Sequence, residues 1–99
     1  MPILHINRIS EYENRARKIK IEVNGKLITK IKNGENLELE LTPGKHLIQA
    51  KIDWCSSNLL EVEMEEQTET NVELKKGEGS AIYRITFGYK EYLKLILID

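Results

Sequence analysis

Hydrophobic and polar residues alternate along most of the chain with a period of two. The alternation is clearest in five runs, which cover residues 19–23, 37–41, 46–53, 60–65 and 71–75. Successive side chains of a β-strand point to opposite faces, so each run would have one apolar face and one solvated face. An amphipathic helix needs apolar spacings of three and four, which no segment sustains. The pattern therefore predicts an all-β protein.

Turn-forming residues separate these runs. Asn24-Gly25 lies between two runs, and because both residues tolerate positive φ, the pair is typical of a two-residue β-hairpin. Asn33-Gly34 and Pro43-Gly44 mark further turns, and Gln67 is expected in another. Short strands with such frequent turns favour an Ig-like β-sandwich, here of about seven to nine antiparallel strands.

The apolar faces of the runs are expected to meet in a core between two sheets. The core residues predicted on this basis are Leu39, Leu41, Ile48, Ile52, Val62 and Val72. A chain of 99 residues has the size of one domain, so residues 1–99 are assigned to a single β-sandwich. Such a chain buries about 65% of its unfolded surface, enough for a core without a disulfide or a metal.

The last quarter of the chain divides into two predicted segments. Residues 76–80 contain two glycines and are interpreted as a connector. Residues 81–99 are predicted to form a C-terminal β-hairpin, with an amphipathic tail helix as the alternative. Strand is favoured because β-branched and aromatic residues are frequent there.

The charges are nearly balanced. Fifteen Lys and Arg face sixteen Asp and Glu, giving a formal net charge of -1. This balance argues against nonspecific nucleic-acid binding, which needs a basic excess, so no nucleic-acid partner is expected. The alternating lysines are interpreted as solvated strand faces that also discourage edge-to-edge aggregation. They are Lys18, Lys20, Lys26, Lys30 and Lys32.

The cellular compartment is inferred from one thiol and from the chain's ends. Cys55 is the only cysteine, so no internal disulfide can form, and a lone thiol fits a reducing compartment. No signal-peptide pattern is visible at the N-terminus. The most apolar stretch, residues 93–98, is too short to span a bilayer. We expect a cytoplasmic location and no membrane span in this chain.

Residues 18–75 resemble the PEGA-type domain and related carboxypeptidase-regulatory-like bacterial β-sandwiches. The resemblance lies in the strand and turn through Asn24-Gly25-Lys26, and in Pro43-Gly44-Lys45-His46 opening a later strand. Residues 53–57 depart from it, standing where these domains often have a Gly-aromatic pair, and no Pro-x-Gly-Ala element precedes the first hairpin. The resemblance implies a noncatalytic module, often attached to cell-envelope proteins, and supplies no catalytic residues.

Cys55 is the only candidate nucleophile that the pattern singles out. With His46 or His5 as base it would suggest a cysteine-dependent enzyme, but a straight strand would place His46 and Cys55 at opposite ends. Asp53 and an apolar neighbourhood would both raise the pKa of the thiol. We therefore predict a structural cysteine and no catalytic residue.

No metal or cofactor is expected. The two histidines and one cysteine have no short ligand spacing. A calcium site needs converging oxygens, usually from a loop with Asp, Asn and Gly, whereas Glu61, Glu63 and Glu65 alternate with apolar residues. These glutamates are interpreted as a solvated strand face.

Trp54 leaves two interpretations open. At a spacing of two from Ile52 it would continue the apolar face into the core, but if the chain leaves the strand at Asp53, it would project from a loop. An exposed Trp would give a stacking surface for a sugar or peptide. The candidate binding residues are then Trp54, Asp53, Ser56, Asn58, Arg15 and Arg17. If Arg17 lies near Asp53, a structural ion pair is the simpler interpretation.

The leading functional prediction is a noncatalytic interaction or structural module. Its expected partner is an unidentified protein or a second copy of the chain. The alternative is a small-ligand or carbohydrate-binding module that uses Trp54, and a cysteine-dependent enzyme comes third.

Overall fold

The strands of the protein were identified in a computed structural model that describes residues 2–11, 16–53, 55–77 and 93–98. The strands are β1 (Ile3–Arg8), β2 (Ile19–Val23), β3 (Lys26–Ile31), β4 (Asn36–Glu40), β5 (Gly44–Ile52), β6 (Cys55–Ser56), β7 (Leu60–Met64), β8 (Glu69–Lys76) and β9 (Leu93–Leu97). These ranges contain no helix, and so none that is long and apolar enough to cross a membrane. The predicted all-β fold is confirmed.

The strands form two sheets. Sheet I has the order β4-β1-β8-β9, and sheet II has the order β3-β2-β5, with β6 and β7 both pairing with the free side of β5. Every pair of these named strands is antiparallel except β1 with β8, which is parallel. Parallel neighbours need a long crossover, and here all of sheet II lies between β1 and β8 in the chain. The nine strands are compatible with the predicted sandwich, but the parallel β1–β8 pair corrects the expectation that all strands are antiparallel.

The inward faces of both sheets build one apolar core. Four of the six predicted core residues, Ile48, Ile52, Val62 and Val72, are between 0% and 4% exposed. Leu39 and Leu41 face the core but are only partly buried. Leu39 lies on β4, which is the edge strand of sheet I, and Leu41 follows that strand. An edge position leaves one flank of these side chains uncovered, so they pack against the core that was predicted for them but are only partly buried.

The β2–β3 hairpin contains both the predicted turn and an unpredicted bulge. Asn24 and Gly25 have φ values of 54° and 80°, as expected for a two-residue turn. Moving away from the turn, Glu22 of β2 faces Leu27 of β3, and Ile21 of β2 faces Thr29 of β3. Ile28 therefore has no partner on β2 and is an extra residue, which makes a β-bulge.

A buried arginine connects the two sheets. Arg8, at the end of β1, is 3% exposed, and its Nη1 donates to the carbonyl oxygens of Ile31 (3.0 Å) and Arg17 (2.6 Å). Burial lowers the pKa of Arg8, and nearby Glu11 partly offsets this. Because a desolvated charge is costly without hydrogen bonds, Arg8 holds the end of the β2–β3 hairpin against sheet I.

The C-terminal part of the described chain differs in one boundary from the prediction. Lys76 belongs to β8, where it faces Leu93 and donates its N–H to Glu11 Oε1 (2.9 Å), so it is not part of a connector. Residues 93–97 form a strand, not a helix, and β9 pairs with β8. The other strand of the predicted hairpin and residues 78–80 of the predicted connector lie outside the described residues.

The substitution Gly25→Val should destabilise the domain by about 1–2 kcal/mol, because a side chain in the left-handed region strains the backbone. A Cβ at this position meets no atom within 4 Å, so the cost is conformational and not steric. Gly25→Asn is the control, since Asn tolerates positive φ. Urea unfolding measures both variants, and equal stability of the Val and Asn variants would contradict this turn geometry.

The substitution Ile48→Ala should lower the free energy of unfolding by about 2–5 kcal/mol, as expected when a core side chain is truncated. Leu39→Ala should cost less, because Leu39 is only partly buried at the edge of sheet I. Chemical denaturation of the two variants side by side tests this order. A larger loss for Leu39→Ala would place the centre of the core on β4.

Candidate functional site

Two of the predicted binding residues meet at the end of β5. The strand ends at Ile52, and Asp53 turns the chain with a φ of 51°. Arg17 Nη2 donates to Asp53 Oδ1 at 2.6 Å, and both side chains are about half exposed. This hydrogen bond is the main reason why the pKa of Asp53 is lowered. Partial desolvation opposes it, and the charges of Arg17 and Lys20 add to it. Arg17 and Asp53 therefore form the ion pair anticipated from the sequence.

Ser56, Ser57 and Asn58 follow Cys55 in the chain, and the side chains of Ser57 and Asn58 bond to backbone groups. Ser56 is half-buried and faces Lys51 across β6 and β5. Ser57 Oγ accepts from the N–H of Ala50 (2.9 Å) and donates to the carbonyl of Asn58 (2.8 Å). The Ser57 hydroxyl thus forms hydrogen bonds with backbone groups of Ala50 and Asn58.

Asn58 behaves like an additional peptide unit beside β9. Its Oδ1 accepts from the N–H of Leu95 (2.9 Å), and its Nδ2 donates to the carbonyl of the same residue (3.1 Å). Both polar atoms of the amide are thereby used to attach the β6–β7 connection to sheet I. The other two candidate binding residues, Trp54 and Arg15, lie outside the described residues, so the binding site centred on Trp54 stays a prediction.

Cys55 lies in the core and faces Ile52. Burial is the larger cause of its raised pKa, and the charge of Asp53 is the smaller one. Both causes agree with the sequence-based argument. His46 is six positions from Ile52 along β5, which corresponds to about 20 Å. Its Nδ1 accepts from Asn24 Nδ2 (3.0 Å) and its Nε2 donates to the carbonyl of Thr42 (2.8 Å), so it braces two turns.

The outer face of sheet I is acidic around β1, whereas Lys75 and Lys94 lie opposite each other on its β8–β9 side. His5 lies at its centre on β1, with its Nε2 2.5 Å from Glu69 Oε1 and its Nδ1 3.9 Å from Glu38 Oε1. Glu40 and Glu73 lie on the same face by alternation with inward-facing leucines. Within the ranges that the structure describes, no group of three His, Cys, Asp or Glu residues is arranged to hold a metal ion.

The outer face of the β2–β3 hairpin is basic. The register places Lys20 directly opposite Lys30 on one side and opposite Lys51 of β5 on the other. Lys18 and Lys32 form the next rung, because each follows the alternation past a buried isoleucine. We call the exposed side chains of Lys18, Lys20, Lys30 and Lys32 the lysine face.

Nearby carboxylates offset the charge of the lysine face only in part. The charge of Lys20 helps to lower the pKa of Asp53, and Glu35 Oε1 accepts the backbone N–H of Lys32 at 2.7 Å. Lys51, which lies beside the lysine face, has its Nζ 3.3 Å from Glu22 Oε1.

None of the four lysines of the lysine face forms a salt bridge within the described ranges. Like charges directly opposite each other on neighbouring strands destabilise a sheet. Two shallow depressions flank the face, and Lys18 and Lys32 line both. The arrangement can bind a partner that presents two or more negative charges.

Sequence reasoning treated these lysines as separate solvated positions and did not bring them together. The position of Ile31 in the sequence could have predicted that the lysines lie opposite each other. A simple two-residue hairpin would place Lys30 opposite Ile19, on the apolar face, so an extra residue in β3 is required to match the faces.

Comparison with known proteins adds no assignment, because no protein-family model, curated protein or solved structure matches this chain. The resemblance to the PEGA-type domain therefore stays a prediction.

Cys55 should react slowly with an alkylating reagent at neutral pH, because burial and Asp53 both raise the pKa of its thiol. The reaction rate in the folded protein should keep rising at a pH above the ordinary thiol range, while the unfolded protein serves as the control. Asp53→Asn should shift the profile only slightly to lower pH, because burial is the larger cause. Rapid alkylation at neutral pH would contradict the structural role of Cys55.

Proposed function

We propose that this protein is a noncatalytic β-sandwich module that binds another protein through the lysine face. The observation that carries the proposal is the convergence of Lys18, Lys20, Lys30 and Lys32 on one hairpin without a salt bridge among the described residues. A bound acidic partner would relieve the repulsion between facing lysines. The cost of the arrangement in the free protein would then be offset in the complex.

The surroundings of the lysine face support a protein partner. Leu27 and Ile28 on the same hairpin are 50% and 46% exposed. Adjacent apolar and charged side chains are typical of the surfaces that proteins use to bind one another. The depression beside Lys30 is lined by both residues, so a partner there would contact ammonium groups and apolar side chains together.

The noncatalytic part of the proposal is supported by how the reactive groups are used. Cys55 is buried with a raised pKa, and His46 braces the turns at Asn24 and Thr42. Asn58, a candidate for ligand binding, has its amide committed to the backbone of Leu95. These observations favour a structural role for each group.

The proposal predicts that replacing Lys20, Lys30 and Lys32 together by Gln reduces partner capture at least tenfold. Immobilised protein is incubated with an extract of the source cells at low salt, and the protein captured by the wild type is quantified. Lys45→Gln is the matched control, because Lys45 lies on the same outer face and is 3.9 Å from Glu61.

Capture should also fall with added salt, since surface charges are screened. Circular dichroism checks that the triple variant remains folded. Capture that is equal for the triple variant and the wild type would reject the lysine face as the binding surface.

A further inference from the structure

We infer that the lysine face receives an extended acidic peptide segment of a partner, which adds to sheet II as a new strand beside β3. This inference rests on the proposed function and names its partner chemistry. It is carried by the position of β3, by the alternation of its side chains and by charge complementarity.

The edge of sheet II is open to such an addition along β3 and closes at Lys32, whose N–H donates to Glu35 Oε1 (2.7 Å) and whose carbonyl accepts from the N–H of Glu35 (3.0 Å). β3 is the terminal strand of the order β3-β2-β5 and pairs with β2 alone among the strands described here. The exposure of Leu27 and Ile28 indicates that this flank of the hairpin is not covered. An edge strand presents backbone N–H and C=O groups that can pair with another chain.

The alternation of β3 specifies the sequence pattern of the added strand. Lys30 and Lys32 point outward two positions apart, about 7 Å, whereas Ile31 between them points into the core. An added strand would place every second side chain beside these ammonium groups. Acidic residues at positions i and i+2 would therefore meet Lys30 and Lys32, and the residue between them would lie beside Ile31. The expected pattern is acidic residues alternating with apolar ones.

A peptide fits this surface better than a nucleic acid does. The lysine face is confined to one hairpin, and the outer face of sheet I carries the acidic cluster around His5. The net charge of -1 gives no overall attraction for a long polyanion. Exposed Leu27 and Ile28 offer apolar contacts that a phosphate backbone would not use.

A second copy of the chain is the competing occupant. Pairing of β3 with β3 of another copy would bring lysines close to lysines, which is unfavourable. The strand β7, however, carries Glu61 and Glu63 in alternation with buried Val62 and so has the expected pattern. The experiment must therefore measure self-association alongside peptide binding.

The probe is a fluorescent synthetic peptide of seven residues in which Glu and Val alternate, titrated into the full chain at low salt. Its first control replaces Glu by Gln, which removes the charges. Its second control carries methyl groups on alternate backbone nitrogens, which keeps the charges but prevents strand pairing. We expect the unmodified peptide to bind at least tenfold more tightly than either control. We also expect β3 amide protons to exchange more slowly when it is bound.

Variants of the chain locate the binding. Lys30→Gln with Lys32→Gln should weaken binding of the peptide at least tenfold, whereas Lys45→Gln should change it less than twofold. Sedimentation of the free chain over a hundredfold range of concentration should show a single species of constant mass.

Three results would overturn the inference. The first is equal binding of the N-methylated and unmodified peptides, which would leave a charged surface without strand addition. The second is tighter binding of a single-stranded oligonucleotide of the same length than of the peptide. The third is concentration-dependent assembly of the chain that Lys30→Gln with Lys32→Gln abolishes, which would make a second copy the occupant. If the peptide fails while capture from extract still depends on the lysines, the inference falls and the proposed function stands.

Discussion

The extra residue at Ile28 is the constraint on which the β2–β3 hairpin, and hence the proposed binding surface, depends. Without it, the turn at Asn24-Gly25 would place Lys30 opposite Ile19, on the apolar face of β2. The bulge moves the pairing by one residue, so that Ile31 is buried opposite Ile19 and Lys30 lies opposite Lys20. Core packing and the clustering of lysines therefore have the same local cause. The lysine face is a direct consequence of burying Ile31.

Arg8 fixes the β2–β3 hairpin to the other sheet of the sandwich. Its guanidinium crosses from β1 in sheet I to the carbonyls of Ile31 and Arg17 at both sides of the hairpin base. Loss of those hydrogen bonds would leave a charge buried without partners, which is strongly unfavourable. The hairpin is thus held rigidly against sheet I. A partner strand that adds to β3 would meet an edge already in the binding conformation, and only the partner would lose conformational entropy.

Local sequence patterns predicted much of this fold, because local chemistry determines it. The turn at Asn24-Gly25 follows from two residues that tolerate positive φ, and the burial of Ile48 and Val62 follows from the period of two. The partial burial of Leu39 could not be predicted in this way, since it depends on which strand lies at a sheet edge. The parallel pairing of β1 with β8 is a contact between distant segments that leaves no local pattern.

In the candidate site, too, features set by neighbouring residues could be predicted, and features set by distant segments could not. The raised pKa of Cys55 could be anticipated, because Asp53 is two residues away and the neighbourhood is apolar. The role of Asn58 could not, because its partner Leu95 lies far along the chain. The lysines were visible individually, but their convergence depends on the register.

Charge is unevenly distributed within the described part of the molecule despite the small net charge of the chain. Four lysines concentrate on the β2–β3 hairpin of sheet II, and glutamates concentrate around His5 at the centre of sheet I. Glu61 and Glu63 on β7, and Lys75 and Lys94 on β8 and β9, carry the opposite sign on each sheet. A partner at long range would feel little attraction, but at close range the field would exert a torque that rotates the lysines towards it. The association rate should therefore depend on orientation during the encounter, and ions in solution would slow it by weakening that torque.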